Sequence, residues 1–241
     1  MIKIDAQNMN YRQLNNRLRV LPRNCRMVEV FNIFGQRYLA AGFSQISFRL
    51  QGTVGNNLAA FADGIEIEVF GNAQDGAGNT LNSGSIKIHG HAADIPGYSM
   101  RGGQIWIRDD VGYRCGIHMK AFHNQQPLII VGGICGDFLG EYMAGGTILV
   151  LGLGTDRVPV GQNTGTGMHG GEIYIRGRVP EERLAFALKK REIAGTELLK
   201  EHPVVLDFVN HFNIEHSELV NSVFTRLAPQ SSRPYGQLYS Y

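Results

Sequence analysis

The chain contains eight histidines, and one close pair among them could share a metal ion. His89 and His91 lie two residues apart at the end of a predicted strand, so both imidazoles can face the same side. A metal site would need a third ligand from a neighbouring strand, for which His118 or Asp109 and Asp110 are the candidates. Surface histidines at turns are the simpler interpretation, and the sequence therefore assigns no metal ligand.

A second candidate is the segment Gly165 to Gly170, whose letters G-T-G-M-H-G match the pattern G-x-G-x-x-G. The dinucleotide-binding form of this pattern follows a strand and opens a helix, whose N-terminus meets the pyrophosphate. Here the glycines precede a predicted strand, Glu172 to Ile175. We therefore expect a turn between strands at this segment and assign no cofactor-binding residue.

The cysteines are Cys25, Cys115 and Cys135. An odd, sparse set argues against a disulfide framework, and without a C-x-x-C pair we expect no iron–sulfur cluster held wholly by this chain. Cys115 and Cys135 are predicted to fill small interior positions as weak hydrophobes. Spacing alone distinguishes no Ser/His/Asp set and no carboxylate pair, so the sequence assigns no catalytic residue.

These residues are positioned by a repeat that runs from Phe43 to Gly177. In seven segments, two apolar residues stand four and two positions before a glycine or an aspartate. The pairs and their anchors are Phe48/Leu50 before Gly52, Ile67/Val69 before Gly71, Ile86/Ile88 before Gly90, Ile105/Ile107 before Asp109, Leu128/Ile130 before Gly132, Ile148/Val150 before Gly152 and Ile173/Ile175 before Gly177. Successive anchors are 19, 19, 19, 23, 20 and 25 residues apart.

Alternation of this kind predicts short strands with one buried face. One strand per repeat cannot build a core alone, whereas stacked repeats bury a continuous interior. The sequence therefore predicts an all-β core in the form of a right-handed parallel β-helix, a single-stranded solenoid of about seven rungs. A leucine-rich horseshoe is disfavoured because no helical pattern separates the strands. The predicted inward column is Ile67, Ile88, Ile107, Ile130, Val150 and Ile175, with Lys87, Trp106 and Tyr174 pointing outward.

The predicted solenoid domain spans residues 1–178 and includes an N-terminal cap segment, residues 1–27. Within this cap we expect a helix from Tyr11 to Arg17, with Asn10 at its N-terminus. Met27 to Gly35 fits the repeat loosely and is predicted to be an extra rung or a strand that covers the open end. A cap is expected because a bare solenoid end exposes strand edges and core.

Residues 179–241 are predicted to form C-terminal helices and a docking tail. One helix is expected to open at Pro180 and a second at Thr196, whereas Ser217 is expected to cap a third that continues to Leu227. We expect these helices to cover the outward aromatic residues Trp106 and Tyr174. The tail, residues 229–241, contains Tyr235, Tyr239 and Tyr241 and is expected to reach a partner or a second copy, or to pack on its own core.

Composition excludes several classes of function. The 241 residues carry a formal charge of only +2, which gives no case for nucleic acid or an anionic membrane as a partner. The apolar runs, such as Ile148 to Leu151, are too short to span a bilayer. Met1 to Asp5 shows no apolar signal core, so the sequence predicts a cytoplasmic protein.

Three runs carry a resemblance to a known family. They are Gln51 to Phe61 (Q-G-T-V-G-N-N-L-A-A-F), Gly71 to Gly78 (G-N-A-Q-D-G-A-G) and Gly136 to Gly146 (G-D-F-L-G-E-Y-M-A-G-G). They resemble the C-terminal domain of glutamate synthase large subunits, a family named for its G-x-G-x-G repeats. The similarity covers roughly residues 30–178, and the chain resembles the free-standing form of this domain.

The resemblance implies a β-helix that packs against catalytic parts and supplies no known catalytic residue. In that family an amidotransferase part releases ammonia from glutamine, and a part with FMN and an iron–sulfur cluster joins it to 2-oxoglutarate. This chain begins with Met1-Ile2 and so lacks the N-terminal cysteine of such amidotransferases. The resemblance thus implies a non-catalytic scaffold, not an enzyme alone, with the chemistry in partner subunits.

Two alternatives stay open. A subunit of formylmethanofuran dehydrogenase, a molybdenum or tungsten enzyme, shares this β-helix, although the runs quoted above resemble glutamate synthase more closely. The second alternative is an independent ligand-binding solenoid with its own groove, for which Asp109 and Asp110 with Arg101, Arg108 and Arg114 are the nearest signal. Copurification distinguishes the three, because the partners would carry flavin and iron–sulfur, carry molybdopterin, or be absent.

Overall fold

The computed structural model describes residues 1–234 and consists of one large sheet with a few short helices. The tail tyrosines Tyr235, Tyr239 and Tyr241 lie outside the described residues. The strands are β1 (Ile2–Asp5), β2 (Met27–Phe34), β3 (Ser47–Thr53), β4 (Ile65–Phe70), β5 (Gly84–Ile88), β6 (Gln104–Ile107), β7 (Leu128–Val131), β8 (Ala144–Val150), β9 (Gly170–Arg176), β10 (Leu188–Ala194) and β11 (Val223–Pro229). The helices are α1 (Tyr11–Arg19), α2 (Gly195–Glu201), α3 (Val204–His211) and α4 (Ser217–Val220), with a 3₁₀ turn at Glu181–Arg183. None of the helices in this part of the chain is long and apolar enough to cross a membrane.

The sheet follows the order of the chain. Strands β1 to β9 pair in sequence, each parallel to the next. The last two strands differ in both order and direction. Strand β11 pairs antiparallel with β9, and β10 pairs antiparallel with β11. Over residues 1–234 the sheet is therefore open, with β1 and β10 as its edges. All seven strands predicted from the repeat are present, and the protein is mostly β, with a predominantly parallel sheet.

One face of the sheet is lined by two columns of buried apolar residues. The register stacks Leu50, Val69, Ile88, Ile107, Val131, Val150 and Ile175 in one column and Phe48, Ile67, Ile86, Ile105, Ile129, Ile148 and Ile173 in the other. All are at most 2% exposed. The predicted inward column is thus correct for Ile88, Ile107, Val150 and Ile175. Ile67 belongs to the neighbouring column on the same face.

The prediction for Ile130 is wrong, because this residue lies on the opposite face of the sheet. Ile130 pairs with Trp106 and Leu149, whereas Ile129 and Val131 occupy the inner columns. The sequence does not show which face Ile130 occupies, because β7 reads L-I-I-V and contains no polar residue to mark the outer side. Ile130 is fully buried on that outer side, so the alternation of apolar and polar residues disappears there.

The repeats are joined by two further lines of backbone contacts outside the large sheet. Parallel bridges connect Val54, Ala73, Ala92, Val111, Cys135 and Val160 in succession. Beyond them, the N–H groups of Gly78, Gly97, Gly116, Gly140 and Gly165 donate to carbonyls of the preceding repeat at 2.7 to 2.9 Å. Each repeat therefore stacks on its neighbour at three places along its length.

The third line of contacts faces the inner columns of the sheet. A Cβ built on Gly97 would lie 2.4 Å from Ile129 Cδ1, and one built on Gly116 would lie 2.5 Å from Ile148 Cδ1. Both glycines have a positive φ, +70° and +69°, which disfavours any side chain. The isoleucines of the sheet thus reach the backbone of the opposite segment at these glycines.

The N-terminal segment follows the sequence prediction closely. Helix α1 begins after Asn10, whose side chain accepts hydrogen bonds from the Arg12 and Gln13 backbone N–H groups, and the Gln13 side chain closes a capping box. The helix buries Leu14 and Leu18 against the core. The expected extra strand is β2, although β1, which pairs beyond it, is not apparent from the repeat.

The C-terminal segment corrects two predictions. No long helix opens at Pro180, because the 3₁₀ turn is followed by Ala187 with φ +67° and then by strand β10. The helix expected near Thr196 is present as α2. The third helix is only the short α4, and its expected continuation from Val223 to Leu227 is instead strand β11, which pairs with β9.

Candidate functional site

The outer face of the sheet changes from charged to apolar residues halfway along the stack of strands. One outer column runs through Arg49, Glu68, Lys87, Trp106, Ile130, Leu149 and Tyr174. Its first three members are charged, whereas the last four are aromatic or aliphatic. From Trp106 onward the column joins a second buried cluster with Leu198, Val205 and Phe208. The two kinds of surface meet between Lys87 and Trp106.

Helices α2 and α3 cover the apolar half of this face. The Phe208 ring packs edge-on against Trp106 with ring centroids 5.9 Å apart, and the His202 ring packs edge-on against Tyr174 at 4.7 Å. Trp106 is left 6% exposed and Tyr174 1% exposed. The prediction that the C-terminal segment covers these two aromatic residues is confirmed.

A cluster of metal-ligating side chains lies where the covered face ends. Glu68 comes from β4, His89 directly follows β5, and His211 is the last residue of α3. Glu68 Oε1 lies 3.0 Å from His89 Nε2 and 3.3 Å from His211 Nε2. One potential ligand atom from each residue lies within 4.8 Å of the other two. Among residues 1–234, this is the group of three that could hold a metal ion.

The electrostatics of this cluster favour a neutral imidazole at His211. Its Nε2 is buried, and although Glu68 is near, the two atoms do not align as a hydrogen bond. Burial lowers the pKa of His211, and the positive charge of Lys87 lowers it further, against the opposing effect of Glu68. Lys87 Nζ itself lies 4.6 Å from the Trp106 ring centroid in a cation–π contact.

A second polar network ties β9 to the C-terminal elements. The Tyr174 hydroxyl donates to Glu172 Oε2 at 2.7 Å, and Arg226 forms an ion pair with the other oxygen of Glu172. Burial raises the pKa of Tyr174, as does its bond to Glu172, whereas burial lowers the pKa of His202. Burial opposes ionisation of Glu172, but Arg226 and Tyr174 outweigh it and lower the pKa of this carboxyl. The network positions α2 and β11 on the sheet.

The histidine pair considered from sequence does not converge on one site. His89 turns to Glu68, whereas His91 is 59% exposed and lies 3.9 Å from Asp109 Oδ2. Asp109 is already paired with Arg108 through two contacts of 2.8 Å.

The other residues considered from sequence also lie apart from the pair. The ring of His118 stacks on that of Tyr142 at 5.2 Å. Asp110 accepts the Ile134 N–H at 2.8 Å, and Arg114 forms an ion pair with Glu141. These contacts are internal to the fold and leave no shared metal position among His89, His91 and His118.

The glycine pattern and the cysteines have structural roles. Gly165 to Gly167 form a turn and Gly170 is the first residue of β9, while the Gly165 N–H donates to Leu139 O at 2.7 Å in the third line of contacts. Cys115 and Cys135 are buried in the core as predicted, whereas Cys25 is half-buried. Burial raises the pKa of Cys135 well above its usual range, as does its contact with Cys115.

Two members of the cluster, Glu68 and His211, are absent from the sequence-based candidates. Glu68 alternates with Ile67 and Val69, which is the pattern of any outward residue on a half-buried strand. The repeat does place Glu68 beside Lys87 on the outer face, one rung from His89. His211 joins them only because α3 packs across the sheet, and no spacing in the sequence predicts that contact.

Comparison with known proteins identifies the family to which the chain belongs. The family model described as the GXGXG motif matches residues 14–230. An uncharacterized protein of Methanocaldococcus jannaschii is 41% identical over 251 residues, covering 99% of this chain and 96% of that protein.

Two glutamate synthases match a shorter region. The ferredoxin-dependent glutamate synthase 2 of a Synechocystis strain is 33% identical over 61% of this chain, and the glutamate synthase [NADPH] large chain of Azospirillum brasilense is 34% identical over 49%. The matched regions are only 10% and 8% of those two proteins, so the chain corresponds to about a tenth of their length. By its match over residues 14–230, the chain belongs to the GXGXG motif family, in a region it shares with glutamate synthase large chains.

Proposed function

We propose that this chain is a non-catalytic structural subunit of a glutamate synthase-like enzyme, which forms glutamate from glutamine and 2-oxoglutarate. The observation that carries the proposal is the family match over residues 14–230, in a region shared with glutamate synthases of two kinds. The relative from Methanocaldococcus jannaschii supports a free-standing form, because this chain matches 96% of its length.

The chemistry then belongs to partner subunits. One partner would be an amidotransferase that releases ammonia from glutamine, and another would carry FMN and an iron–sulfur cluster. Two of the three cysteines of this chain, Cys115 and Cys135, are buried in its own core, which supports a cluster held by a partner subunit. We place the assembly in the cytoplasm, with the chain as its scaffold and no catalytic residue of its own.

We further propose that residues 1–178 wind as a right-handed parallel β-helix, with residues 1–27 as its cap and residues 179–241 as its C-terminal elements and docking tail. The three lines of contacts between successive repeats support a coil, as do the isoleucines that reach Gly97 and Gly116 on the opposite segment. Right-handedness follows from the strong preference of parallel strand connections for that hand. A rigid coil of this kind holds two catalytic subunits at a fixed separation.

The tail is proposed to contribute to assembly. Its first residue beyond β11, Gln230, donates its backbone N–H to Ala187 O at 2.9 Å and so packs on its own chain. The remainder, residues 231–241, would contact a partner subunit or a second copy. Deleting the tail, residues 229–241, should then abolish association without lowering the melting temperature, whereas a large fall in melting temperature with assembly intact would assign the tail to its own core.

Copurification tests the proposal directly. The full chain, tagged at its N-terminus, is purified from its own cells under native conditions, and its partners are identified by mass spectrometry and absorption spectroscopy. Partners with amidotransferase sequences and a flavin and iron–sulfur spectrum are the expected result. A molybdopterin-containing partner would instead favour the formylmethanofuran dehydrogenase alternative. A ligand bound to the chain without partners would favour an independent solenoid.

A further inference from the structure

The cluster of Glu68, His89 and His211 has the composition and spacing of a metal site. Two imidazole nitrogens lie 3.0 Å and 3.3 Å from the same carboxylate oxygen. Ligand atoms about 2.0 to 2.1 Å from a tetrahedral metal ion are themselves about 3.3 Å apart. The three side chains are 24 to 29% exposed, although the Nε2 atom of His211 itself is buried.

Hydrogen bonding within the protein does not satisfy the cluster. Glu68 Oε1 faces both histidines but forms a hydrogen bond with His89 only. The buried Nε2 of His211 has no aligned partner, although buried polar atoms are nearly always satisfied. A cation between the three ligand atoms would bond this nitrogen and use the carboxylate charge at the same time.

The two imidazoles are held in place by aromatic neighbours. The His89 ring stacks on Phe70 with centroids 4.8 Å apart and meets the edge of Phe212 at 5.0 Å. The His211 ring packs edge-on against Trp106 at 5.9 Å. Ligands fixed in this way lose little freedom on binding, which is what a preorganised metal site requires.

One neighbouring charge opposes a cation at this position. Lys87 lies in the same outer column as Glu68, and its ammonium lies against the Trp106 ring near His211. Glu68 and His211 both line a surface pocket together with Glu66, Ser85 and Lys87. A water molecule that enters through this pocket, on the side of Glu68 and His211, would supply a fourth ligand. Replacing Lys87 tests how its charge affects binding of the ion.

We propose that Glu68, His89 and His211 bind one divalent ion of the zinc class and thereby clamp helix α3 onto the sheet. Two imidazoles and one carboxylate suit Zn²⁺ or Co²⁺, whereas Ca²⁺ and Mg²⁺ prefer oxygen ligands throughout. The clamp joins residues 68 and 89 of the sheet to residue 211 of the C-terminal segment. It is independent of glutamate synthesis and requires only this chain.

Titration of the chelator-treated full chain with Co²⁺ and Zn²⁺ tests the site. We expect one ion per chain by calorimetry, visible absorption typical of four-coordinate Co²⁺, and a higher melting temperature with Zn²⁺. Mg²⁺ at the same concentration should have no effect. Absence of stoichiometric Zn²⁺ binding to the wild-type chain would overturn the proposal.

Variants locate the ion. His211→Ala and Glu68→Gln should each weaken Zn²⁺ binding at least about tenfold, since each removes a ligand. Glu68→Gln keeps the size of the side chain and remains informative if His211→Ala unfolds. The matched control is His91→Ala, two residues from His89 and mostly exposed, which should leave binding unchanged.

Replacing Lys87 gives an independent test of where the ion binds. Lys87→Gln should strengthen Zn²⁺ binding, because it removes a positive charge beside the site. Loss of binding in His91→Ala, or unchanged binding in both Glu68→Gln and His211→Ala, would place the ion elsewhere and refute the assignment. Unchanged or weaker binding in Lys87→Gln would contradict the position of the ion beside His211.

Discussion

The two halves of the outer face share one backbone architecture but differ in their side chains and in what covers them. Under α2 and α3, the outer column reads Trp106, Ile130, Leu149 and Tyr174, and beyond the helices it reads Arg49, Glu68 and Lys87. The inner columns stay aliphatic or aromatic along both halves. The stacking of the repeats therefore depends on apolar residues of the inner face alone. In the outer column, the residues are apolar only where helices cover the strand.

Ile107→Asp should have the largest effect, because it places a charge in the inner column. Ile107 is fully buried, and the variant should lose about 4 kcal/mol or more of unfolding free energy. Chemical denaturation followed by circular dichroism measures the loss. Arg49→Gln, on the exposed outer face, is the control and should cost below about 1 kcal/mol, because it adds no charge beside Glu29 and Glu68. Equal losses in the two variants would contradict the distinction between the faces.

Phe208→Ala should come next, because it empties the contact between α3 and the sheet. The variant should lose about 3 to 5 kcal/mol if the cover unfolds together with the sheet. Trp106 is the single tryptophan of the chain, so its fluorescence should shift to the red as water reaches the ring. Hydrogen exchange should accelerate in α2 and α3 more than in β3 to β5. Unchanged fluorescence would mean that α3 does not cover Trp106.

Gly97→Ala tests whether the inner isoleucines contact the backbone of the opposite segment. The new methyl group would lie 2.4 Å from Ile129 Cδ1 and should cost about 2 kcal/mol more than the backbone strain alone. Gly154→Ala is a matched control, because Gly154 has φ +71° with no atom within 4 Å of the added carbon. Thermal denaturation of both variants measures the difference, and equal destabilisation would show that the isoleucine column does not reach the opposite segment.

His202→Gln should have the smallest effect, and only below neutral pH. Burial lowers the pKa of His202 below its ordinary 6.5, so the unfolded chain takes up a proton at a higher pH than the folded chain does. The stability associated with neutral His202 is therefore complete above the unfolded pKa and declines as the pH falls through 6.5. Between about pH 7.5 and about pH 5.5 the wild type should lose more stability than the variant. An identical pH dependence would contradict this assignment.

The sequence predicts the repeat well because its strongest signals are local. The inner isoleucines alternate with polar residues in β4 and β5, and Asn10 marks the start of α1 through its capping box. The same reasoning fails in β7, where both faces are buried and the register cannot be assigned from polarity. The sequence also does not predict strand β10, because its run of Lys189 to Arg191 resembles the basic end of a helix but lies on an exposed sheet edge.

The metal-ligand cluster is less predictable, because it depends on packing between distant segments. Glu68 and His89 come into contact through the register of β4 and β5, which the repeat does imply. His211 reaches them only through the docking of α3, and that docking depends on the apolar patch around Trp106. In the sequence, the patch appears only as apolar residues at outward positions where polar residues are expected. The sequence does not show which helix covers them.

Reconstitution tests the central claim most directly. The amidotransferase and FMN/iron–sulfur subunits that we propose as partners are combined with glutamine, 2-oxoglutarate and an electron donor, with and without the chain. We expect glutamate formation to require the chain, and the chain alone to be colourless and inactive. Glutamate formation at the full rate without it, or flavin absorption intrinsic to the isolated chain, would contradict a scaffold that leaves the chemistry to its partners.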